Sequence, residues 1–405
     1  MCVNDINLVS IKTVSLREIS VHQEFFDSLR DDYEGFDQWY RHVAAAGRLA
    51  WTVENSSGKL DTLCIYKEES NGEAVTDDGR SLPGKFLKMC TLKVTANGYR
   101  YGQRLLYASF QYALLNGMGH VYAQVRESKH AKVVALLKRF GFTRFGSYHA
   151  DATYVKVMMP EEVPMVSFDD VRNFNYCRLH YPYHLDGGAI RKFLVSLEPS
   201  VHEQYFIDSK IQRLPLELQK QGMCGEANAI RKAIVQSDAL STMRAADILF
   251  FYRQATDGEV RGFVDHLGVV ESVRRYDQFE KIEEFDRECI PYCDDELRNM
   301  IKKAHGVAFV FFWVIQRISP GISRGELMDW GFDTHHRRVR RIPERFYRKW
   351  LKSRLLPYGV CYQTEDADGR SQSSECRCRQ RVEISIANRI TSFVWELIKN
   401  LGIRK

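Results

Sequence analysis

Apolar and polar residues alternate along Phe86–Val94, with Phe86, Leu87, Met89, Leu92 and Val94 as the apolar set, which predicts a half-buried strand. Thr95-Ala96-Asn97-Gly98 is a turn signal. Leu105, Leu106, Ser109, Phe110 and Ala113 then recur at helical spacing, with Gly102 where that helix opens. Val121–Arg126 alternates again and predicts a second strand. Ala131–Phe140 predicts a short helix ended by Gly141 as a cap. The stretch 86–146 therefore reads strand, turn, helix, strand, helix, strand. Ahead of it, residues 8–15 predict a first strand, and Val21–Ala46 a helical region broken near Gly35. Leu49–Val53 and Leu60–Tyr66 predict a strand pair, and the polar, Gly-rich 68–85 an exposed loop over the sheet. Two strands are expected within 142–160, and Pro160 ends them.

Beyond Pro160 the pattern changes. Residues 161–190 carry Phe174, Tyr176, His180, Tyr181, Tyr183 and His184 and predict an irregular bridge that packs, either as a contact between domains or as the wall of a substrate site. Lys192–Leu197 predicts a strand. Glu203–Leu218 is apolar without a clean period, and Glu226–Val235 reads as a short helix or turn leading into a strand. Three strongly apolar strands follow, Ala246–Tyr252, Val260–Val273 and Val307–Ile315, with a charged helical segment, Arg275–Lys303, between the last two. This pattern predicts a compact, mostly β barrel with helical insertions. Residues 337–354 hold nine Arg and Lys against one Glu, interleaved with Phe346, Tyr347 and Trp350. Such a segment either meets phosphates and stacks bases or is a basic helix with its aromatics turned to a core. After a polar stretch from 364 to 381, Ile386, Ile390, Phe393, Val394, Leu397, Ile398 and Leu401 follow the helical period. That stripe must bury on the chain's own body, on a second copy, as a homodimer, or on a partner.

At 405 residues the chain is long enough for two domains and a further piece. Its 44% apolar and 27% charged residues are an ordinary globular balance. The net charge of +6 permits contact with nucleic acid without requiring it. No apolar run reaches membrane-spanning length. The N-terminus lacks a basic head followed by an apolar stretch, so no signal peptide is expected. The ten cysteines are scattered, and neither Cys289–Cys293 nor Cys376–Cys378 has a partner pair at zinc spacing. No metal site is expected from them, and a reducing cytoplasm suits them best.

A strand that turns sharply into a helix N-terminus points free N–H groups and the positive dipole end at one place, which suits an anion. The turn here is Asn97-Gly98-Tyr99-Arg100-Tyr101-Gly102, and Gln103 comes next. It resembles the pyrophosphate loop of the GNAT acetyltransferase family, with Asn97 for the usual Arg or Gln and Arg100 for the middle Gly. The later strand, short helix and Gly141-Phe142 resemble the family's second signature, with His130 for its usual Asn and Leu137 where many members have a Tyr acid. The resemblance covers roughly residues 5–160. It implies acetyl-CoA as cofactor, held by the strand backbone around Leu92 and Val94 and by Asn97, Gly98, Arg100, Tyr101, Gly102 and Gln103, with His130 touching it or joining proton transfer. Glu127, ending the second strand, is the candidate base, and Tyr148 or Tyr154 the candidate substitute for the missing acid.

Asn228-Ala229-Ile230-Arg231-Lys232-Ala233, Ala246-Asp247 with the strand after it, and Gly268-Val269-Val270-Glu271 resemble the PUA-like superfamily, including its ASCH and EVE groups; Ala246 stands where Gly is common. That resemblance implies a reader of nucleic acid or modified nucleobases, with Asn228, Lys232, Tyr252 and Arg253 as candidate contacts, to which the basic segment adds Arg337, Arg338, Arg340 and Arg341. The expected fold class is α/β (α+β): a GNAT-like mixed sheet with helices on both faces over 1–160, a linker over 161–190, a PUA-like barrel over 191–355, and a polar loop with a C-terminal amphipathic helix over 356–405. The expected function is acetyl transfer to RNA or an RNA-borne amine, on an aminoacyl-tRNA or a nucleobase, in the manner of a toxin. The alternative is a non-catalytic nucleic-acid-binding regulator on a degenerate GNAT scaffold.

Overall fold

The computed structural model describes residues 11–55, 57–95, 100–160, 170–206, 229–236, 242–255, 262–332, 339–353 and 358–361. The chain is mixed α/β and divides into two compact units near Met158–Met159. No helix among the described residues is long and apolar enough to cross a membrane.

The first unit runs β1 (Lys12–Ser15), α1 (Asp27–Asp32), α2 (Phe36–Ala45), β2 (Leu49–Glu54), β3 (Leu60–Ser70) and β4 (Lys85–Val94). It continues with α3 (Tyr101–Leu115), β5 (His120–Val125), α4 (Ala131–Arg139), β6 (Thr143–Tyr148) and β7 (Asp151–Val157). Its seven strands lie in the order β1-β2-β3-β4-β5-β7-β6. Neighbours are antiparallel except β4 and β5, which are parallel. The break expected near Gly35 is a left-handed residue, φ 75°, that ends one helical piece and opens α2. Phe26, Phe36 and Tyr40 of this region bury against Ala50, Leu63 and Ile65 of the sheet. The 70–85 loop is tied down more firmly than its polarity suggests. The Thr153 hydroxyl and the Gln124 amide both donate to Val75 O, at 2.7 and 3.2 Å, and Asp77 N donates to Ser147 O at 2.8 Å.

The second unit begins, within the expected bridge, with α5 (Asp170–His180) and β8 (His184–Asp186). Regular structure forms there because the aromatic residues find a core: Phe174 and Tyr181 pack edge-on against Trp313, and Tyr181 donates to Val314 O at 2.6 Å. Next come β9 (Lys192–Leu197), α6 (Pro199–Tyr205), β10 (Arg231–Gln236), β11 (Ile248–Arg253) and β12 (Phe263–Tyr276). The charged segment after β12 forms α7 (Glu284–Arg287) and α8 (Asp294–Ala304). β13 (Val307–Ser323), α9 (Arg324–Asp329), β14 (Val339–Ile342), α10 (Glu344–Ser353) and β15 (Gly359–Cys361) complete it. Six strands form a mixed sheet in the order β10-β13-β12-β11-β9-β14, and β15 pairs with β8 apart from it. The expected barrel is not closed: β10 and β14, at the two ends of that order, do not pair with each other among the described residues. The reason is visible in the register. β14 lies antiparallel on the outer edge of β9, and β10 antiparallel on the outer edge of β13. The amphipathic helix expected from 386 to 401 lies outside the described residues.

Candidate functional site

β4 and β5 pair over four positions only, from Phe86↔His120 to Met89↔Ala123. β4 continues to Val94 and stays paired with β3, where Cys90 is the extra residue of a β-bulge between Met89↔Tyr66 and Thr91↔Ile65. A bulge bends its strand and raises the local twist, so β4 swings away from β5 at that point. Thr95 N donates to Asp61 O on the β3 side. Groups of alternate residues in an antiparallel ladder face opposite ways. The backbone N–H and C=O of Leu92 and Val94 therefore face the gap beside β5.

A cavity of about 580 Å³ opens there. Leu92, Met89, Ala123, Val125 and Val133 line it with Leu29, Phe36 and Trp39 from the α1–α2 region. Two sets stand out among its polar groups, beside Glu34, Arg48, Thr91 and Gln124. Tyr33, His130 and Asp151 form one, and Lys67, Glu69 and Lys88 the other. In the first, the Tyr33 hydroxyl and His130 Nε2 are 3.3 Å apart and their rings stack. Asp32 lies 3.7 Å from the same His130 nitrogen, and Arg126 pairs with Asp151 at 3.1 Å while covering the Tyr33 ring. Burial first, and the nearby Asp151 and Asp32 carboxylates, push the Tyr33 phenol up and keep it protonated. In the second set, Glu69 accepts from Lys67 at 2.9 Å and from the Tyr122 hydroxyl at 2.6 Å. The bulged Cys90 also faces the cavity, and burial raises its thiol.

Arg100 stands just ahead of α3. Arg100 has φ +49°, in the left-handed region, at the position where the resembling loop carries glycine. Its carbonyl accepts from Arg104 N at 3.2 Å as the helix opens. Tyr101 and Gln103 are buried. Gly102 also serves the packing of two helices. A Cβ built there would stand 2.8 Å from Leu136 Cδ2, so its bare Cα lets α3 and α4 approach. Asn97 and Gly98 lie outside the described residues.

Of the expected catalytic groups, Glu127 and Tyr154 come together, with the Tyr154 hydroxyl donating to Glu127 and Arg144 3.5 Å from it. The Tyr154 hydrogen bond, with help from Arg144, holds the Glu127 carboxyl below its ordinary range. Burial and Glu127 push the Tyr154 phenol up to about 12. Tyr148 ends β6 beside His149. None of the three lines the cavity. Leu137, where many GNAT members have tyrosine, is buried in the core. Tyr33, the phenol that does reach the cavity, comes from the end of α1, and no spacing along the chain links it to His130.

In the second unit, Lys232, Tyr252 and Arg253 are buried at 2, 5 and 1% exposure. β10 and β11 are covered strands, so these three are not presented as surface contacts. Arg340 and Arg341 are exposed on β14. On α10, Tyr347 and Trp350 turn inward, Trp350 edge-on to Phe250 at 5.0 Å, while Arg345, Arg348 and Lys349 stay exposed. Asn228, Arg337 and Arg338 lie outside the described residues. Asp247 holds Arg191 bidentately at 3.0 and 2.6 Å and accepts from Arg244 N at 2.8 Å.

No protein-family model matches the chain, and no curated protein matches it. Among solved structures, it is similar to ASCH from Zymomonas mobilis, at 10% identity and a TM-score of 0.28 over 40% of this chain and 96% of that one. It is also similar to a mosquito arylalkylamine N-acetyltransferase like 5b, at 14% identity and a TM-score of 0.28 over 36% of this chain and 100% of that one. A third likeness is to Ard1 from Thermoplasma volcanium, at 14% identity and a TM-score of 0.27 over 38% of this chain and 99% of that one.

Proposed function

We propose that the chain is an N-acyltransferase that uses acetyl-CoA and delivers the acetyl group to an amine carried by RNA, on an aminoacyl-tRNA or a nucleobase. The observation that carries this reading is the parting of β4 from β5 after Met89↔Ala123, which leaves the backbone of Leu92 facing a cavity and that of Val94 on the same unpaired edge of β4. An extended amide-bearing arm fits such an edge because it supplies the donors and acceptors a neighbouring strand would. Acetyl-CoA, when bound, supplies an already activated thioester. The chain's own residues then have three tasks. Leu92 and Val94 orient the arm and present N–H groups where negative charge develops. Arg100 and the N-terminus of α3 meet the pyrophosphate. Tyr33, held protonated, donates a proton to a departing thiolate, and His130 beside it takes part in moving that proton. The exposed Arg340, Arg341, Arg345, Arg348 and Lys349 support RNA as the carrier, since phosphate contacts of this kind give sequence-independent, salt-sensitive affinity. Acetylating the amine of an aminoacyl-tRNA would block translation, which is a toxin-like outcome.

A second reading, a non-catalytic nucleic-acid-binding regulator, is favoured by Glu127 and Tyr154 satisfying each other and by the buried Leu137. One calorimetric experiment separates the two. Acetyl-CoA is titrated into the intact chain and into Arg100→Glu. Binding that the variant weakens by about tenfold or more, the worth of a charge-assisted contact, supports the transferase, and acetyl transfer to charged tRNA is then measured. No binding to a folded intact chain would sink it and leave the regulator. Gly102 substitutions are poor controls, because they would report helix packing against Leu136.

A further inference from the structure

We infer that His202, Asp265 and His266 form a site for one divalent transition-metal ion of the zinc class in the second unit. Asp265 and His266 are consecutive on β12, and consecutive strand residues ordinarily point to opposite faces. Here Phe251 pairs with His266 and Tyr252 with Val264, so Asp265 is the extra residue of a bulge. The pairing with β13 also jumps between Val264 and His266. A bulge re-aims a side chain, and the result is that His266 Nδ1 lies 2.8 Å from Asp265 Oδ1. α6 brings His202 Nε2 to 2.9 Å from that same oxygen. The three donor atoms lie within 4.8 Å of one another, and all three residues are buried.

Two imidazoles and one carboxylate are a ligand set for zinc and its neighbours, at metal–ligand distances of about 2.0–2.2 Å. Around a tetrahedral ion that length sets donors about 3.3 Å apart. The two imidazole–carboxylate spacings need to open by roughly half an ångström, and the two imidazole nitrogens, which lie within 4.8 Å of each other, need to settle at the same spacing, a rearrangement of side chains around a shared oxygen. Three protein ligands leave one position for water or another small donor. Arg253 lies close enough to act on His202 electrostatically and opposes a dication. That charge selects metals with high intrinsic affinity for nitrogen, Zn²⁺ and Cu²⁺, over Mg²⁺ or Ca²⁺.

The test uses the full chain. Bound metal is measured by mass spectrometry on protein purified without chelator. The chelator-treated chain is then titrated with Co²⁺, followed by its visible d–d absorption, and displaced with Zn²⁺. The expected result is about one ion per chain, the four-coordinate Co²⁺ spectrum of a site with three protein ligands, and affinity weakened 100-fold or more in His202→Gln. Circular dichroism establishes that the variant is folded. His266→Gln serves in its place if it is not. Two results would overturn the inference: an intact, folded chain that takes up no stoichiometric Zn²⁺, Co²⁺ or Cu²⁺, or uptake that the glutamine variants leave unchanged. Either would make the trio a closed hydrogen-bonded set.

Discussion

Replacing Gly268 by alanine adds a single methyl group at a crowded point of β12. A Cβ built there lies 2.8 Å from Phe312 Cδ2, 3.1 Å from Trp313 O and 3.2 Å from Phe251 Cε2. Comfortable carbon contacts begin near 3.5 Å, so two rings and a backbone carbonyl must give way together. Both rings are fully buried, with centroids 4.8 Å apart, and the carbonyl belongs to the strand next in the sheet. Overpacking a close-packed core costs about 1–3 kcal/mol. The backbone contact puts this case in the upper half, about 2–3 kcal/mol. For a unit of this size each kcal/mol moves Tm by about 2–4 °C, so a fall of roughly 5–10 °C is expected in the calorimetric transition of the second unit. Phe312→Leu in the same chain should partly relieve the crowding, making the double variant less damaged than the sum of the singles by about 1 kcal/mol. A Gly268→Ala chain that melts within about 1 °C of the parent, or strictly additive singles, would refute the reasoning.

Tyr33→Phe keeps the ring in the cavity and removes its proton; acetyl transfer should fall about 10²-fold or more with acetyl-CoA binding little changed, and unchanged turnover would remove Tyr33 from the chemistry. Asp247→Asn leaves Arg191 with a neutral partner and should cost the second unit about 2–3 kcal/mol in urea unfolding; no change in the midpoint would mean the pair is idle. Burial pushes the Tyr40 phenol up to about 12 from 10.0. The folded state thus favours its neutral form, and its contribution to stability is whole below pH 10 and lost as pH rises toward 12. Tyr40→Phe should flatten the decline of Tm between pH 10 and 11 relative to the parent, and parallel declines would contradict the assignment.

The strands and helices of the first unit were legible because each is a local pattern. Phe86–Val94 appears as Lys85–Val94, and Ala131–Phe140 as Ala131–Arg139. The three apolar strands of the second unit were legible for the same reason, although β13 runs on to Ser323 through Gln316, Arg317 and Ser319-Pro320-Gly321, which interrupt the apolar run. The cavity's chemistry was not legible. Tyr33, Glu69 and Asp151 come from α1, β3 and β7, and only sheet order and register bring them to one place. Bulges are equally silent in a single sequence: neither Cys90 nor Asp265 is marked by a glycine or proline, yet each redirects the strand beyond it. The basic segment shows the limit of composition. Its aromatics Tyr347 and Trp350 belong to the core and its charges to the surface, and the count of nine basic residues does not distinguish these roles.

The four-pair ladder between β4 and β5 makes the seven-stranded sheet two leaves on one spine, Phe86–Met89 against His120–Ala123. An extended guest lying along the open margin of β4 would complete that sheet as a borrowed strand. Its presence would then be recorded residue by residue in hydrogen exchange. The amides of Leu92 and Val94, turned to the open margin, would slow on binding, while that of Lys93, turned to β3, would keep its rate. Occupancy would appear as a change at every second amide of a single strand, readable without knowing which molecule is bound.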